Sequence, residues 1–314
     1  MKTCLSLWTL IKPPYELPYD DAIKSAAEIG FDAVDLPICS LSALNEWWTE
    51  EHICQTRKLL DECGLKLAQI CLFQNLVGGF GSTDKVAGTT AFENFEKACK
   101  IASALGAQMI NIISPSPDKI HVLTTATLPE YFYLNTPDMV IPGMQKRDVE
   151  GWRFDAKYRM SIDPDFSWNN LWKNFSANIL KAAKIAEKYK LCLTVENRAN
   201  TFTPHTDSML RLMKTLNSGN YGACFNVSQA FLHREILEWA AHKYDSHLSH
   251  LRACDGDGLA CYNLPVGSGI IDWPGLINGL NEIHYDGYIS FEWLNDADAA
   301  EHVKESFLYI KRLI

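Results

Sequence analysis

The chain has 314 residues, enough to bury a full hydrophobic core in one large domain or in two ordinary ones. Hydrophobic residues make up 47% and charged residues 21% of the chain, as in soluble globular proteins, and the formal net charge is −9. This acidic balance argues against a nucleic-acid-binding protein, which needs a basic groove. No apolar run approaches the roughly 18 to 20 residues of a membrane span, so we expect no membrane contact.

The amino terminus and the cysteines bear on location. The opening stretch, MKTCLSLWTLIKPP, has one lysine and a short apolar run but lacks the small-residue cleavage pattern of a signal peptide, so we interpret it as a first strand. The ten cysteines are scattered, and no pair has C-x-x-C spacing. This usage is typical of a reducing compartment, and we expect a cytoplasmic protein.

Short apolar runs alternate with amphipathic helical patterns along the whole chain. The predicted strands are, in chain order, 4–8, 31–38, 65–73, 107–114, 191–196, 221–228, 247–254 and 288–294. The predicted helices that follow them are 20–30, 46–63, 92–106, 167–190, 206–217, 233–243, 274–282 and 298–312.

Eight strands, each followed by a helix, indicate parallel βαβ units and an α/β fold. Eight such units predict a single (β/α)8 TIM barrel over residues 1–314, for which about 250 residues is typical. The excess is a long insertion after strand 4, about 115–165, rich in prolines and aromatic residues. We expect it to cover the barrel mouth, with a subunit contact as the alternative. The alternative is a doubly wound open sheet, although no G-x-G-x-x-G follows the first strand.

Polar residues stand where the last four predicted strands end. Glu196 ends the fifth strand, Asn226 lies in the sixth, and Arg252 and Glu292 lie near the ends of the seventh and eighth. Active sites of such barrels form at the carboxyl ends of the strands, and strand alternation directs each of these side chains inward. The alternative is that they are strand-end residues that meet solvent. Asp35, placed at the end of strand two, is expected to line the same mouth or to cap the loop.

The carboxyl-terminal third resembles the xylose isomerase-like barrels, a superfamily of sugar isomerases, epimerases and related lyases that includes endonuclease IV. The segments that carry the resemblance are AAKIAEKYKLCLTVENR, HLSHLRACDGDG, VGSGIIDWPGLINGL and YDGYISFEW. With IASALGAQMINI and the opening strand–helix–strand, the likeness covers most of the chain outside residues 115–165. It implies one divalent metal, held by glutamate, aspartate, histidine and glutamate on strands five to eight, and proton exchange by the two glutamates.

Two of the four implied positions depart from the family pattern. Glu196 and Glu292 match, but Asn226 stands where aspartate is expected, and Arg252, three residues before Asp255, stands where histidine is expected. A guanidinium has no lone pair for a metal and stays charged. Two facing carboxylates repel each other unless a cation lies between them or one keeps a proton. We therefore predict that Arg252 takes the electrostatic role of the metal, so that the site works without a metal cofactor or binds one only weakly.

The alternative is a divalent metal (Mn, Mg, Co or Zn) bound by Glu196 and Glu292 together with Asn226 or His250. An amide oxygen can coordinate a hard cation. His250 lies two residues before Arg252, on the same face and one layer deeper, and a bulge in the seventh strand would bring it to the site. A histidine in this position is more commonly a core residue with its hydrogen bonds satisfied.

The predicted chemistry is proton transfer next to the carbonyl of a small sugar or keto-sugar derivative, as in a sugar isomerase or epimerase of carbohydrate metabolism. Glu196 and Glu292 are the predicted proton carriers, and burial should raise the pKa of one of them. Arg252 or Arg198 is expected to bind the substrate and stabilise the enediolate oxygen. Trp8 is expected to stack on a sugar ring, with ordinary core packing as the alternative.

Two other functions fit the same residues. A lyase or dehydratase would use them for β-elimination from a keto-sugar or glycoside, and a non-catalytic barrel that has lost its metal would bind a sugar or a partner. For each of the enzymatic alternatives, the expected ligand is a small sugar. Its identity, its phosphorylation and the formation of a homo-oligomer stay open.

Overall fold

The computed structural model describes residues 1–11, 17–122, 144–147, 151–154, 160–216, 220–256, 264–292 and 298–314. The strands in these ranges are β1 Lys2–Ser6, β2 Ala33–Ile38, β3 Lys66–Leu72, β4 Met109–Ile113, β5 Ile120–Val122, β6 Met144–Arg147, β7 Gly151–Phe154, β8 Met160–Ile162, β9 Cys192–Glu196, β10 Tyr221–Asn226, β11 Leu248–Ala253 and β12 Tyr288–Phe291. The α-helices are Asp20–Ile29, Glu50–Glu62, Gln74–Val77, Lys85–Leu105, Trp168–Lys188, Thr206–Leu216, Val227–Leu232, Leu237–Tyr244, Trp273–Glu282 and Ala299–Lys311.

Eight parallel strands close into a barrel in the order β1-β2-β3-β4-β9-β10-β11-β12, and β12 pairs with β1. The prediction of a (β/α)8 barrel is therefore confirmed. The first and last strands of the chain pair with each other, so both ends of the chain contribute to the barrel. None of the helices in the described ranges is long and apolar enough to cross a membrane.

Several helices begin and end at residues that satisfy the free backbone groups of a helix terminus. The side chain of Thr49 accepts the backbone N–H of His52 at 3.3 Å, and that of Asp84 accepts the N–H of Val86 at 2.9 Å. Gly106, at φ 81°, ends the helix Lys85–Leu105 in the left-handed conformation that glycine adopts without strain. The helix predicted to begin at residue 92 begins seven residues earlier, at Lys85, because Asp84 caps it there.

Alternation along the strands divides the side chains into two groups. The outward set packs against the helices in one large hydrophobic core. A much smaller cluster inside the barrel contains Cys4, Ala33, Ala68, Met109 and Tyr288. Bulky branched aliphatic residues usually fill the interior of such barrels. Here the layer above the small cluster consists of polar side chains, and it supports the site described below.

The insertion begins after β4. Its described parts contain two antiparallel pairs, β5 with β8 and β6 with β7. The expected cover over the barrel mouth rests on residues that lie for the most part outside the described ranges, so it stays a prediction.

Candidate active site

Arg252 lies inside the barrel, on β11, with its side chain only 2% exposed. Its Nη1 lies 2.9 Å from Oε2 of Glu292, and its Nε lies 3.4 Å from Oε2 of Glu196. The same Nη1 donates to Oδ2 of Asp35 at 2.9 Å. The structure thus brings together Arg252 and the two glutamates, with the guanidinium in contact with both.

The far end of the guanidinium meets a thiol. Nη2 of Arg252 donates to Sγ of Cys71, on β3, at 2.7 Å. Burial raises the pKa of the Cys71 thiol well above its usual value, although the guanidinium lowers it by a smaller amount. The sulfur therefore acts as a neutral acceptor, and all three nitrogens of the guanidinium have a partner.

Glu196 ends β9 and is almost completely buried. Its Oε1 accepts a hydrogen bond from Nδ2 of Asn226 at 2.9 Å and lies 3.7 Å from Nη1 of Arg198. Asn197 fixes the ends of β9 and β10, since its Oδ1 accepts the backbone N–H of Asn226 at 2.6 Å and its Nδ2 donates to the Asn226 carbonyl at 3.1 Å. Glu196 and Asn197 are thus both fixed by hydrogen bonds to Asn226.

Glu292 follows β12 directly and is the more accessible of the two glutamates, with a side chain 17% exposed against 2% for Glu196. Burial raises the pKa of Glu292, Arg252 lowers it, and the negative charge of Glu196 raises it again, so that the net pKa lies above its usual value. Burial therefore makes Glu292 easier to protonate than an exposed glutamate.

Asn226 is oriented by its hydrogen bonds. Its Oδ1 accepts the backbone N–H of Gln229 and the hydroxyl of Ser228, both at 3.2 Å, and so caps the helix Val227–Leu232. Its Nδ2 consequently faces Glu196 as a donor. The amide oxygen that a cation would need is directed towards the helix instead.

Asp35 lies in the middle of β2 and is fully buried, so the expectation that it ends the strand and lines the mouth or caps a loop is wrong. Its partners come from four other strands: Cys4 at 3.3 Å, Gln69 at 3.2 Å, His250 at 2.9 Å, Arg252 at 2.9 Å and Ser290 at 2.5 Å. Burial raises the pKa of Asp35, but His250 and Arg252 outweigh burial, and the net pKa is lowered.

His250 lies one layer below the glutamates, as its place on the strand predicts. The register between β10 and β11 does shift, between Ala223 and Cys224. This irregularity leaves His250 fully buried, with its Nε2 2.9 Å from Oδ2 of Asp35. The hydrogen bond of the imidazole thus goes to Asp35, not to either glutamate.

Trp8 lies in the turn Leu7–Leu10 that follows β1. Its ring centroid is 4.8 Å from that of Phe73, which follows β3. Both rings line a cavity of about 710 Å³, together with Tyr19, Cys39 and Trp47. Burial and, to a smaller extent, the Glu292 carboxylate raise the pKa of Cys39 to about 12. Trp8, Cys39 and Phe73 each follow the carboxyl end of a barrel strand, so the cavity lies at the same end of the barrel as Glu292.

Comparison with known proteins identifies the family. Residues 23–313 match the model of the xylose isomerase-like TIM barrel family. The chain belongs to this family. A curated relative, an uncharacterized protein of Methanocaldococcus jannaschii, is 30% identical over 146 residues, which is 42% of this chain and 49% of that protein. The chain thus spans about half the length of the curated relative that it matches.

Solved structures of similar fold cover nearly the whole barrel. D-psicose 3-epimerase of Clostridium cellulolyticum H10, crystallised with D-tagatose, has a TM-score of 0.72 at 13% identity and covers 100% of this chain and 99% of its own. The 3-keto-D-glucoside 4-epimerase of E. coli has a TM-score of 0.71 at 14% identity, with 99% of each chain covered. A probable 3-DHS dehydratase of Bacillus anthracis has a TM-score of 0.69 at 13% identity, again with 99% of each chain covered. At these identities the likeness shows the fold alone.

In this xylose isomerase-like barrel, the residues at the four implied metal positions do not fit a divalent ion. The guanidinium of Arg252 contacts both glutamates. The amide oxygen of Asn226 caps a helix, and His250 is bound to Asp35. Among the residues that the structure describes, no group of three or more His, Cys, Asp or Glu side chains could hold a metal.

Arg198 and Arg252 differ in access. The Arg198 side chain is 13% exposed, against 2% for Arg252, and both lie near Glu196. Arg198 is therefore the cation that a molecule entering the barrel mouth would meet first, whereas Arg252 belongs to the supporting network beneath it.

Sequence reasoning missed the roles of Asp35 and Cys71 in this xylose isomerase-like barrel. Asp35 is a lone acid in the fully buried strand AVDLPI, which is the same signal that singles out Glu196 in LCLTVENR. Cys71, in LKLAQICLF, has the sequence context of a small hydrophobic residue. Nothing in the sequence indicates that its sulfur meets a guanidinium from the opposite side of the barrel.

Proposed function

We propose that this chain is a sugar isomerase- or epimerase-like enzyme that moves a proton next to the carbonyl of a small sugar or keto-sugar derivative, and that it does so without a resident metal ion. The observation that carries this proposal is the contact of Glu196 and Glu292 with the single guanidinium of Arg252. Two acid–base groups thereby flank one point at the carboxyl ends of the strands. The names of two proteins of similar fold, D-psicose 3-epimerase and 3-keto-D-glucoside 4-epimerase, agree with this reaction class.

The two glutamates have different surroundings, which supports different roles. Within the described residues, Glu196 has hydrogen-bond or ion-pair contacts to the Asn226 amide and to two guanidinium groups, and as a carboxylate it accepts the proton from the carbon next to the carbonyl. Glu292, whose pKa is raised by burial, holds a proton and delivers it. Delivery to the opposite face of the same carbon inverts it, and delivery to the neighbouring carbon isomerises the sugar.

The enediolate that forms between these two steps needs a positive partner. Arg198 is suited to this role because it is the more exposed guanidinium beside Glu196. Trp8 and Phe73 offer apolar ring faces in the adjoining cavity, on which a sugar ring can pack. These apolar faces thus lie at the same end of the barrel as the acid–base groups.

Deuterium uptake tests this proposal. We expect keto sugars or 3-keto glycosides, incubated with the protein in D2O, to gain deuterium next to the carbonyl at a rate that neither EDTA nor added manganese changes. The variants Glu196→Gln and Glu292→Gln should lose at least about 100-fold in rate, as expected when an acid–base group is removed. Glu62→Gln, on an exposed helix face, is the matched control and should leave the rate unchanged.

Two results would contradict the proposal: no exchange into any of these substrates, or exchange that survives both glutamine variants. Analysis of the products distinguishes isomerisation and epimerisation from the lyase alternative, in which the same proton abstraction is followed by loss of a β leaving group.

A non-catalytic sugar-binding barrel is the second candidate. The buried guanidinium of Arg252 contacts three acids, and this observation favours the second candidate. A cation with three acidic partners stabilises the barrel whether or not any reaction follows. In that case the wild-type protein binds sugar without exchanging deuterium, and Glu292→Gln retains the ligand.

A further inference from the structure

Asp35 has no part in the proton transfer proposed above, yet it is fully buried and contacts the centre of the site. Nη1 of Arg252 lies 2.9 Å from Oδ2 of Asp35 below it and 2.9 Å from Oε2 of Glu292 above it. The same nitrogen therefore contacts one acid in the interior of the barrel and one at its mouth. The upper partner is partly exposed, and only the lower one is shielded from water.

The position of Asp35 is itself tightly fixed. Its Oδ2 accepts hydrogen bonds from Ser290 on β12 at 2.5 Å and from Gln69 on β3 at 3.2 Å. Gln69 is held in turn, because its Oε1 accepts the hydroxyl of Thr194 at 3.0 Å, and Thr194 accepts a hydrogen bond from Asn111 at 3.1 Å. The carboxylate is thus anchored by strands from several sides of the barrel.

His250 is also part of this network. Nε2 bonds to Asp35, whereas Nδ1 has no hydrogen-bond partner within the described part of the chain. A guanidinium stays charged, so Arg252 is the constant positive partner of Asp35, at 2.9 Å.

An arginine side chain has many rotamers, and fixing it requires partners that do not move. The two glutamates cannot supply all of this constraint, because Glu292 reaches solvent and the contact to Glu196 is the longest of the three, at 3.4 Å. Asp35 supplies a short contact from a rigid, water-free side.

We propose that Asp35 is a positioning residue: it holds the Arg252 guanidinium between Glu196 and Glu292 from beneath and never touches the substrate. This inference rests on the proposed function for its catalytic consequence, but the positioning itself can be measured without any substrate.

Side-chain NMR of protein labelled with 15N-arginine provides this measurement, with Arg252→Met to assign the signal. In the wild-type protein we expect separately resolved Arg252 Nη signals, because rotation of an engaged guanidinium is slow. Asp35→Asn keeps the shape and removes the charge, and it should average these signals. It should also lower the kcat of deuterium exchange by about tenfold or more, with KM unchanged, as for other supporting residues of a site. Asp32→Asn is the matched control, since Asp32 bonds Thr3 at 2.7 Å and should change neither signal nor rate.

Arg252 signals that are the same in Asp35→Asn as in the wild type would overturn the proposal. If Asp35→Asn does not fold, the same substitution is tested in the Arg252→Met protein. The double variant should have a higher urea midpoint of unfolding than Arg252→Met alone. An equal or lower midpoint overturns the proposal. If Asp35→Asn averages the Arg252 signals but the wild-type protein exchanges no substrate deuterium, the positioning role is supported and the proposed function is refuted.

Discussion

Replacing Arg252 by methionine removes the positive charge in contact with Asp35, Glu196 and Glu292 and keeps most of the side-chain volume. Two of the lost contacts are 2.9 Å long and the third is 3.4 Å. Breaking a buried ion pair typically costs about 3–5 kcal/mol, because the remaining charge is left uncompensated. The acids left behind can take up protons, so we expect a loss of about 3–5 kcal/mol near neutral pH and a smaller loss at acidic pH.

Thermal unfolding followed by circular dichroism at about pH 7.5 and pH 5 measures this loss. At roughly 2 °C per kcal/mol in a large domain, the Tm should fall by about 6–10 °C at the higher pH. Arg57→Met is the matched control, since Arg57 is exposed and its one described hydrogen bond, to the Ala104 carbonyl, is 3.5 Å long. A Tm equal to that of the wild type at both pH values would refute the role of Arg252 as the counter-charge.

Three further substitutions test neighbouring parts of the site. The pKa of Glu292 is raised in the folded protein, so the stabilising contribution of this side chain is present below the ordinary glutamate pKa and is lost as the pH rises. The Tm of Glu292→Gln, measured relative to that of the wild type, should therefore increase from about pH 5 to pH 8. A difference in Tm that does not depend on pH would contradict this. Asn226→Asp places a second carboxylate 2.9 Å from Glu196, and we expect a loss of about 1–3 kcal/mol in urea unfolding at neutral pH that shrinks in acid. The Asp255 carboxylate accepts three backbone N–H groups and the indole N–H of Trp273. Asp255→Asn weakens these hydrogen bonds, and it should lower the free energy of unfolding by about 1.5–3 kcal/mol and shift tryptophan emission to the red. Unchanged emission would show that the surroundings of Trp273 do not depend on this carboxylate.

The barrel could be predicted from the sequence because its signal is local. Each strand is a short apolar run followed by a helix with an apolar stripe, and eight repeats of this unit leave few topologies. The polar strand ends were visible for the same reason, since Glu196 and Arg252 interrupt apolar runs. Strand bounds differ from the prediction by up to three residues, and the helix Val227–Leu232 was missed because one side chain, Asn226, starts it directly after β10.

The role of Asp35 could not be predicted, because it depends on distances across the barrel. His250 and Arg252 are separated from Asp35 by 215 and 217 residues in sequence. Only closure of the sheet, which pairs β12 with β1, brings β2 and β11 to face each other across the interior. Strand alternation gives the direction of a side chain but not the partner that it meets.

We infer that the Arg252 guanidinium takes the place of a divalent ion between Glu196 and Glu292. The most direct measurement is a titration of the protein, purified in EDTA and dialysed, with Mn2+ followed by electron paramagnetic resonance. We expect no saturable Mn2+ site that depends on either glutamate. A saturable site for one Mn2+ per chain that disappears in Glu196→Gln and in Glu292→Gln would contradict it.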